Sequence, residues 1–318
     1  MPTDLKHRRR RYIFGPVPSR RLGLSLGVDL LPGKTCTYNC LYCQLGRTGK
    51  RVIEPCDRVP IEEVLAELRR RLEEVTPDTI TVSGSGEPTL HPRIGEVISM
   101  MKRTTATRVA VLTNASLLWR DEVRRALSGA DLLMPTFSTA FEKTFRAIHR
   151  PHRDLRLARI VEGLRLLRKG FRGKVFVEVM LLRGYNDGDR EIEALRDALS
   201  AVSPDRIHLN TVVRPPADPR ALPIDRPRMD ELKTFLGPAA EIIVDPERAQ
   251  RPQGVSSPEE AILEMAGRRP VRVVDIVNGL QSPAAEACGL VNRLVRKGLL
   301  VRRVHRGESY YSRSTEDD

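Results

Sequence analysis

Residues 78–114 read DTITVSGSGEPTLHPRIGEVISMMKRTTATRVAVLTN. The opening DTITVSG is short and β-branched, which is strand composition. Ile94, Val97, Ile98 and Met101 then recur at helical spacing. TRVAVLT at 107–113 returns to the strand pattern. The alternation continues on both sides. LGVDL at 26–30 reads as a strand, and Val59, Val64, Leu65, Leu68 and Leu72 mark a helix over 59–74. Downstream come a helix at 119–127, a strand at 130–137 and a helix at 154–169. A strand at 174–182, a helix at 189–200 and a strand at 206–213 complete the series. Six strand–helix alternations predict an α/β domain with a parallel sheet. Near-continuous apolar strands such as 175–182 fit a sheet covered on both faces. The pattern leaves open whether the sheet is flat or curls into a barrel. Either way, functional residues belong at the C-terminal ends of the strands.

The two ends of the chain break the alternation. Residues 1–26 are basic and rich in turn formers: Gly15, Pro16, Pro18 and Gly23. They read as an N-terminal segment ahead of a core domain at 27–245. RPPADPRALPIDRPR at 214–228 interrupts the core, and a helix at 229–236 and a strand at 240–244 extend it. Residues 246–256 have linker composition. From 257 to 318 helices are expected at 258–266, 271–279 and 283–297, with Ser282 placed to cap the last. VRRVHRGESYYS at 301–312 reads as a hairpin turning at Arg306–Gly307. Three helices and a hairpin predict a winged helix-turn-helix domain. Arg302, Arg303, His305 and Arg306 make its wing basic, a form that meets nucleic acid or docks protein.

Hydrophobic residues are 40% and charged residues 30% of the 318, a globular composition. No run approaches the ~20 apolar residues of a membrane span. The basic start MPTDLKHRRRR has no apolar segment behind it, so no secretory signal is read and a cytoplasmic, membrane-free protein is expected. The net charge of +13 suits a polyanionic partner. Arg supplies 45 of the 54 cations, so a coding bias of the host explains the same excess.

Five cysteines occur, and Cys36, Cys40 and Cys43 fall within eight residues. Such crowding suits a metal or cluster site in a reducing compartment better than disulfides. The C-x3-C-x2-C spacing lets one loop wrap a four-iron cubane and leave one iron open. An amino acid can chelate that iron through its amine and carboxylate. If it is the methionine part of S-adenosylmethionine (SAM), the sulfonium lies beside the cluster. Zinc is the alternative, with Cys56 as a fourth ligand. Cys288 reads as a small core residue.

These residues resemble a known family. C-x3-C-x-aromatic-C after the first strand of a six-fold β/α pattern is similar to the signature of the radical SAM superfamily. FGPVPSRRLGLSLGVDLLPGKTCTYNCLYCQLGRT, SGSGEPTLHP, LTNASLL, VEVMLLRGYND and HLNTVVRPP resemble radical SAM proteins related to the wyosine (tRNA imidazoguanosine) synthases. The resemblance runs over about residues 12–216. It implies a partial (β/α)6 barrel, a [4Fe–4S] cluster on Cys36, Cys40 and Cys43, and reductive cleavage of SAM to a 5′-deoxyadenosyl radical.

The resemblance also assigns the SAM site. Tyr42 matches the aromatic residue near the adenine. Gly84, Ser85, Gly86 and Glu87 match the glycine-rich motif that holds the amino group. Thr113 and Asn114 match contacts to the carboxylate or ribose, and Asn210 is an adenine-side candidate. Ser138 stands where the family usually has Asp. Glu178, in an apolar strand, is either a ligand contact or half of an internal salt bridge. Arg20, Arg21 and Arg214 either hold an anionic group or face solvent. Every residue assigned to chemistry precedes the linker.

The archaeal wyosine synthases carry a second cluster with its own cysteines. Here only Cys56 and Cys288 remain, so that specific reaction is not implied. The implied partners are an electron donor such as flavodoxin or ferredoxin, and tRNA or another nucleic acid at the C-terminal domain. Two other functions fit the same residues: an activase that makes a glycyl radical in a partner protein, and an iron–sulfur regulator that binds DNA.

Overall fold

The fold is taken from a computed structural model, which describes residues 12–243, 257–280 and 282–314. Eight strands form one sheet in the order of the chain. They are β1 (Ile13–Ser19), β2 (Gly23–Val28), β3 (Thr79–Val82), β4 (Arg108–Thr113), β5 (Leu132–Pro135), β6 (Lys174–Leu181), β7 (Arg206–Thr211) and β8 (Ala240–Ile242). β1 runs antiparallel to β2, and every later neighbour is parallel. Strand order without a reversal sends each right-handed crossover to the same face, which curls the sheet toward a barrel. No pairing joins β1 to β8 among the described residues, so the barrel is partial.

Helices α1 (Ile61–Glu74), α2 (Ile94–Thr104), α3 (Asp121–Leu127), α4 (Glu142–His149), α5 (Leu157–Gly170), α6 (Asp189–Val202) and α7 (Arg226–Leu236) connect the strands. Their apolar faces bury against one side of the sheet, as Ile61, Val64, Leu65 and Leu68 of α1 do. β6 departs from the continuous apolar reading. Val175, Val177 and Val179 bury in the main core, while Phe176 and Glu178 between them are half-buried on the other face. That face is the barrel interior.

Two elements differ from the sequence reading. β1 lies in the segment read as turns; Pro16 and Pro18 are tolerated there because an edge strand needs only half its amide bonds. α4 was not read at all, being one short amphipathic stretch between two loops.

The last described residues form α8 (Pro258–Arg268), α9 (Val273–Leu280), α10 (Ala284–Arg296) and the hairpin β9 (Leu300–His305)–β10 (Glu308–Arg313). Ile262, Ile276, Val291, Leu294 and Leu300 give them a core of their own, against which Val17 of β1 packs. Arg306 (φ 52°) and Gly307 (φ 80°) make the hairpin turn; paired positive φ values match the strand twist. Ser257 caps α8, accepting from the Glu260 amide at 3.2 Å. Ser282 does not cap α10; Pro283 holds that position and the Ser282 hydroxyl is buried without a partner. The stretch read as a linker lies outside the described residues, as do Met1 to Arg11. No helix among the described residues is long and apolar enough to cross a membrane.

Candidate active site

The cysteine loop leaves the C-terminal end of β2 and is held by α4. The Leu41 amide donates to the Ile148 carbonyl (2.9 Å) and the Asn39 amide to that of His149 (3.0 Å). These carbonyls end a helix and have no partner within it, so the loop satisfies the helix while the helix shapes the loop. Tyr38 is buried beside the rings of Phe145 and His149.

Each cysteine of the loop has its own polar neighbour. Lys34 Nζ donates to Cys43 Sγ at 2.9 Å. Asn114 Nδ2 lies 3.5 Å from Cys36 Sγ, and His149 Nδ1 lies 3.5 Å from Cys40 Sγ. His149 Nδ1 also meets the Tyr42 hydroxyl at 3.2 Å. Burial pushes the Cys36 thiol up to about 12, with Glu87 adding to it. Burial raises Cys40 as well, followed by the charges of Cys36 and Cys43. Cys36 and Cys40, buried and mutually repelling as thiolates, need a cationic centre to ionise together.

No group of three His, Cys, Asp or Glu side chains among the described residues is placed to hold a metal ion. A cubane takes its thiolates at separate corners, so it accepts a wider set than one ion does. Cys56, the fourth ligand of the zinc alternative, is not among the residues lining the cavity with the other three. The donor set fits a cluster better than zinc.

The glycine-rich end of β3 presses against this loop. A Cβ on Gly86 would overlap the Thr35 carbonyl, and one on Gly84 (φ 138°) would stand 2.5 Å from Asp29 Cγ. Both positions therefore require glycine. Ser85 Oγ donates to Asp29 Oδ2 at 2.5 Å. Glu87 is 1% exposed and fully engaged. It accepts from Thr89 N (3.1 Å), Thr89 Oγ1 (2.6 Å), Thr113 Oγ1 (2.7 Å) and Asn114 N (2.6 Å). Burial still raises its pKa against those donors. Its geometry is that of a brace between the ends of β3 and β4.

These parts open on a cavity of about 360 Å³ and a neighbouring one of about 290 Å³ with many shared walls, sizes suited to a small ligand. Cys36, Cys40, Cys43, Tyr42, Gly84, Gly86 and Glu178 line both; Ser85 and Asn210 line the smaller, Glu87, Thr113 and Asn114 the larger. Ser138 lines neither. Its hydroxyl accepts from the Met180 amide at 3.0 Å and its carbonyl from Asn186 Nδ2 at 2.8 Å.

Glu178 pairs with Arg21 at 2.5 Å and accepts from Asn210 Nδ2 at 3.1 Å. Burial opposes its charge, but Arg21, Asn210 and Arg20 outweigh it and hold the carboxyl below its usual range. The internal pair is thus present, on the cavity wall. Arg20 donates to Asn210 Oδ1 at 3.3 Å. Arg214 is buried and reaches Asp275 (3.0 Å) and the Pro270 carbonyl (2.8 Å) of the C-terminal unit. Glu264, Met265, Arg268 and Arg269 from that unit line the larger cavity. The residues assigned from sequence all precede the linker, and the cavity takes further lining from beyond it. Lys34 adjoins the cysteine motif and was in reach of sequence reasoning. Asp29, His149 and Arg268 were not, since only folding brings them to the site.

Comparison with known proteins follows the same lines. The profile of the Radical SAM superfamily matches residues 30–196. A UPF0026 protein of Methanocaldococcus jannaschii is 30% identical over 95% of this chain and 95% of its own. A Brachyspira hyodysenteriae protein named GTPase Obg is 32% identical over 94% of this chain, which spans only 45% of that protein. Among solved structures, a radical SAM methyltransferase from Sphaerobacter thermophilus shares the fold. It has a TM-score of 0.51 and 20% identity, over 69% of this chain and 65% of that one.

Proposed function

This chain belongs to the radical SAM superfamily and stands with the UPF0026 proteins, and on that premise we propose that Cys36, Cys40 and Cys43 hold the cluster at which it cleaves SAM. A [4Fe–4S] cluster and SAM are the superfamily's cofactors and this chain's. One observation carries the residue assignment: the three thiols of one loop and the glycine-rich end of β3 line the same two adjoining cavities. Held by these residues, the cluster and SAM would supply one-electron reductive cleavage and, through it, hydrogen abstraction from a substrate.

The chain's own residues do the positioning. Lys34 donates to the Cys43 sulfur, and Asn114 and His149 stand beside the sulfurs of Cys36 and Cys40. Gly84 and Gly86 let backbone carbonyls approach the SAM ammonium. Glu87 keeps the ends of β3 and β4 in register behind it. Tyr42 and Asn210 border the adenine side, and the Arg21–Glu178 pair forms a polar far wall. Ser138 keeps its place in the barrel end without touching the ligand. Flavodoxin or ferredoxin is the electron donor in this scheme.

The test is spectroscopic. Anaerobically reconstituted, reduced protein should give a cluster EPR signal that shifts when SAM is added. A fully loaded cluster whose signal ignores SAM overturns the proposal.

A nucleic-acid substrate, in keeping with the wyosine-synthase resemblance, is the finer reading. It rests on the exposed Arg302, Arg303 and Arg306 of the β9–β10 hairpin, and on three helices plus a hairpin as a winged-helix arrangement. The GTPase name of the Brachyspira relative is not carried over, because Val28 stands where a phosphate loop needs glycine ahead of Gly33-Lys34-Thr35.

A further inference from the structure

The C-terminal unit has its own core, yet α8 sits at the reaction cavity. Glu264, Met265 and Arg268 of that helix, and Arg269 just beyond it, line the space that also holds Cys36, Cys40 and Cys43. Arg268 forms an ion pair with Asp29, and its Nη1 lies 3.2 Å from Ser85 Oγ. Its guanidinium also stacks over Phe14 of β1, 4.8 Å from the ring centroid.

Asp29 is the hub of this contact. It follows the end of β2 and is 1% exposed. One oxygen accepts from the Leu31 amide at the start of the cysteine loop (3.2 Å), the other from Ser85. Its side chain also fills the space where a Cβ on Gly84 would be. A buried carboxylate keeps such a position only while its charge is balanced, and Arg268 supplies a balancing charge from 239 residues away. A second tie, Arg214 to Asp275, fastens the next helix to the loop after β7.

We propose that Arg268 is a positioning residue for the SAM site. Through Asp29 and Ser85 it fixes the glycine-rich end of β3, and it makes α8 a wall of that site. The unit read from sequence as an appended recruiting module is then part of the machinery, and the SAM site is complete only with it docked. This rests on the function proposed above.

The experiment uses full-length, cluster-loaded protein and measures SAM affinity by equilibrium dialysis, with hydrogen exchange over residues 258–268. Arg268→Glu should leave iron content unchanged, speed exchange in α8 and weaken SAM binding about tenfold, the size of one lost charge-assisted bond. Arg268→Lys keeps the charge and should stay nearer wild type. Arg296→Glu, on the exposed face of α10 in the same unit, should change neither quantity. If Arg268→Glu does not fold, Asp29→Asn takes its place, with the same weakening expected. Faster exchange with unchanged SAM affinity would make the contact merely structural and overturn the proposal. Unchanged exchange and affinity together would overturn it too. Wild-type holoprotein that binds no SAM would instead contradict the function itself.

Discussion

The two walls of the reaction cavity are built in opposite ways. The cysteine wall comes from one loop, with all three thiols inside eight residues. The other wall joins Arg21 and Glu178 to Arg268 and Arg269 of the C-terminal unit, across nearly the whole chain. One wall carries chemistry that no other residue type can supply. The other carries shape and charge balance, which many sequences could provide. A fixed chemical demand compresses into a motif, whereas a packing demand disperses.

That contrast predicts a hierarchy of damage. Cys40→Ala should have the largest effect: iron falls from about four per chain to near zero after anaerobic reconstitution, while Cys288→Ala keeps its iron. Full iron loading in Cys40→Ala would break the comparison at its strong end. Arg21→Ala comes next. It leaves Glu178 without its closest cation and should cost about 3 kcal/mol in denaturant unfolding, with Glu178→Gln restoring much of it.

The same pair gives a pH dependence of known sign. The folded pKa of Glu178 is depressed. Its contribution is therefore full above the unfolded carboxylate value of about 4.3 and fades as pH falls through the folded value. Arg21→Ala should flatten that acid limb; an unchanged limb would show that the pair contributes nothing.

Gly86→Ala sits where the walls meet the strand ends. Its Cβ would strike the Thr35 carbonyl, so a loss of about 1–3 kcal/mol is expected, together with reduced iron loading. Stability and iron equal to wild type would show that the cysteine loop does not lean on β3. The smallest effect belongs to the hairpin. Arg302, Arg303 and Arg306 changed together to Glu should move stability by no more than about 0.5 kcal/mol and leave iron intact. If tRNA binds there, each phosphate contact removed lowers the log–log salt slope by about 0.7–0.9. Binding equal to wild type would remove the hairpin from substrate recognition.

Legibility in the sequence follows the same division. The parallel strands after β1 were readable because β-branched runs and helical spacing alternate without interruption. β1 was not, because Gly15, Pro16 and Pro18 are turn formers that an edge strand accepts. The paired positive φ values at Arg306–Gly307 bear out the turn read there. At the site, the cysteines and glycines announce themselves through spacing and size. Glu87 was visible as a charge, but its use as a brace depends on Thr113 and Asn114 from the next strand. Glu178 was ambiguous until Arg21 appeared beside it. His149 and Arg268 have no local signal, since each acquires meaning only from the residue it touches.

The account is tested most directly by the product of its first step. Reconstituted wild-type protein, reduced anaerobically with SAM present, should form 5′-deoxyadenosine, and Cys40→Ala under the same conditions should form none. Wild-type protein with four irons per chain that yields no 5′-deoxyadenosine and binds no SAM would contradict it.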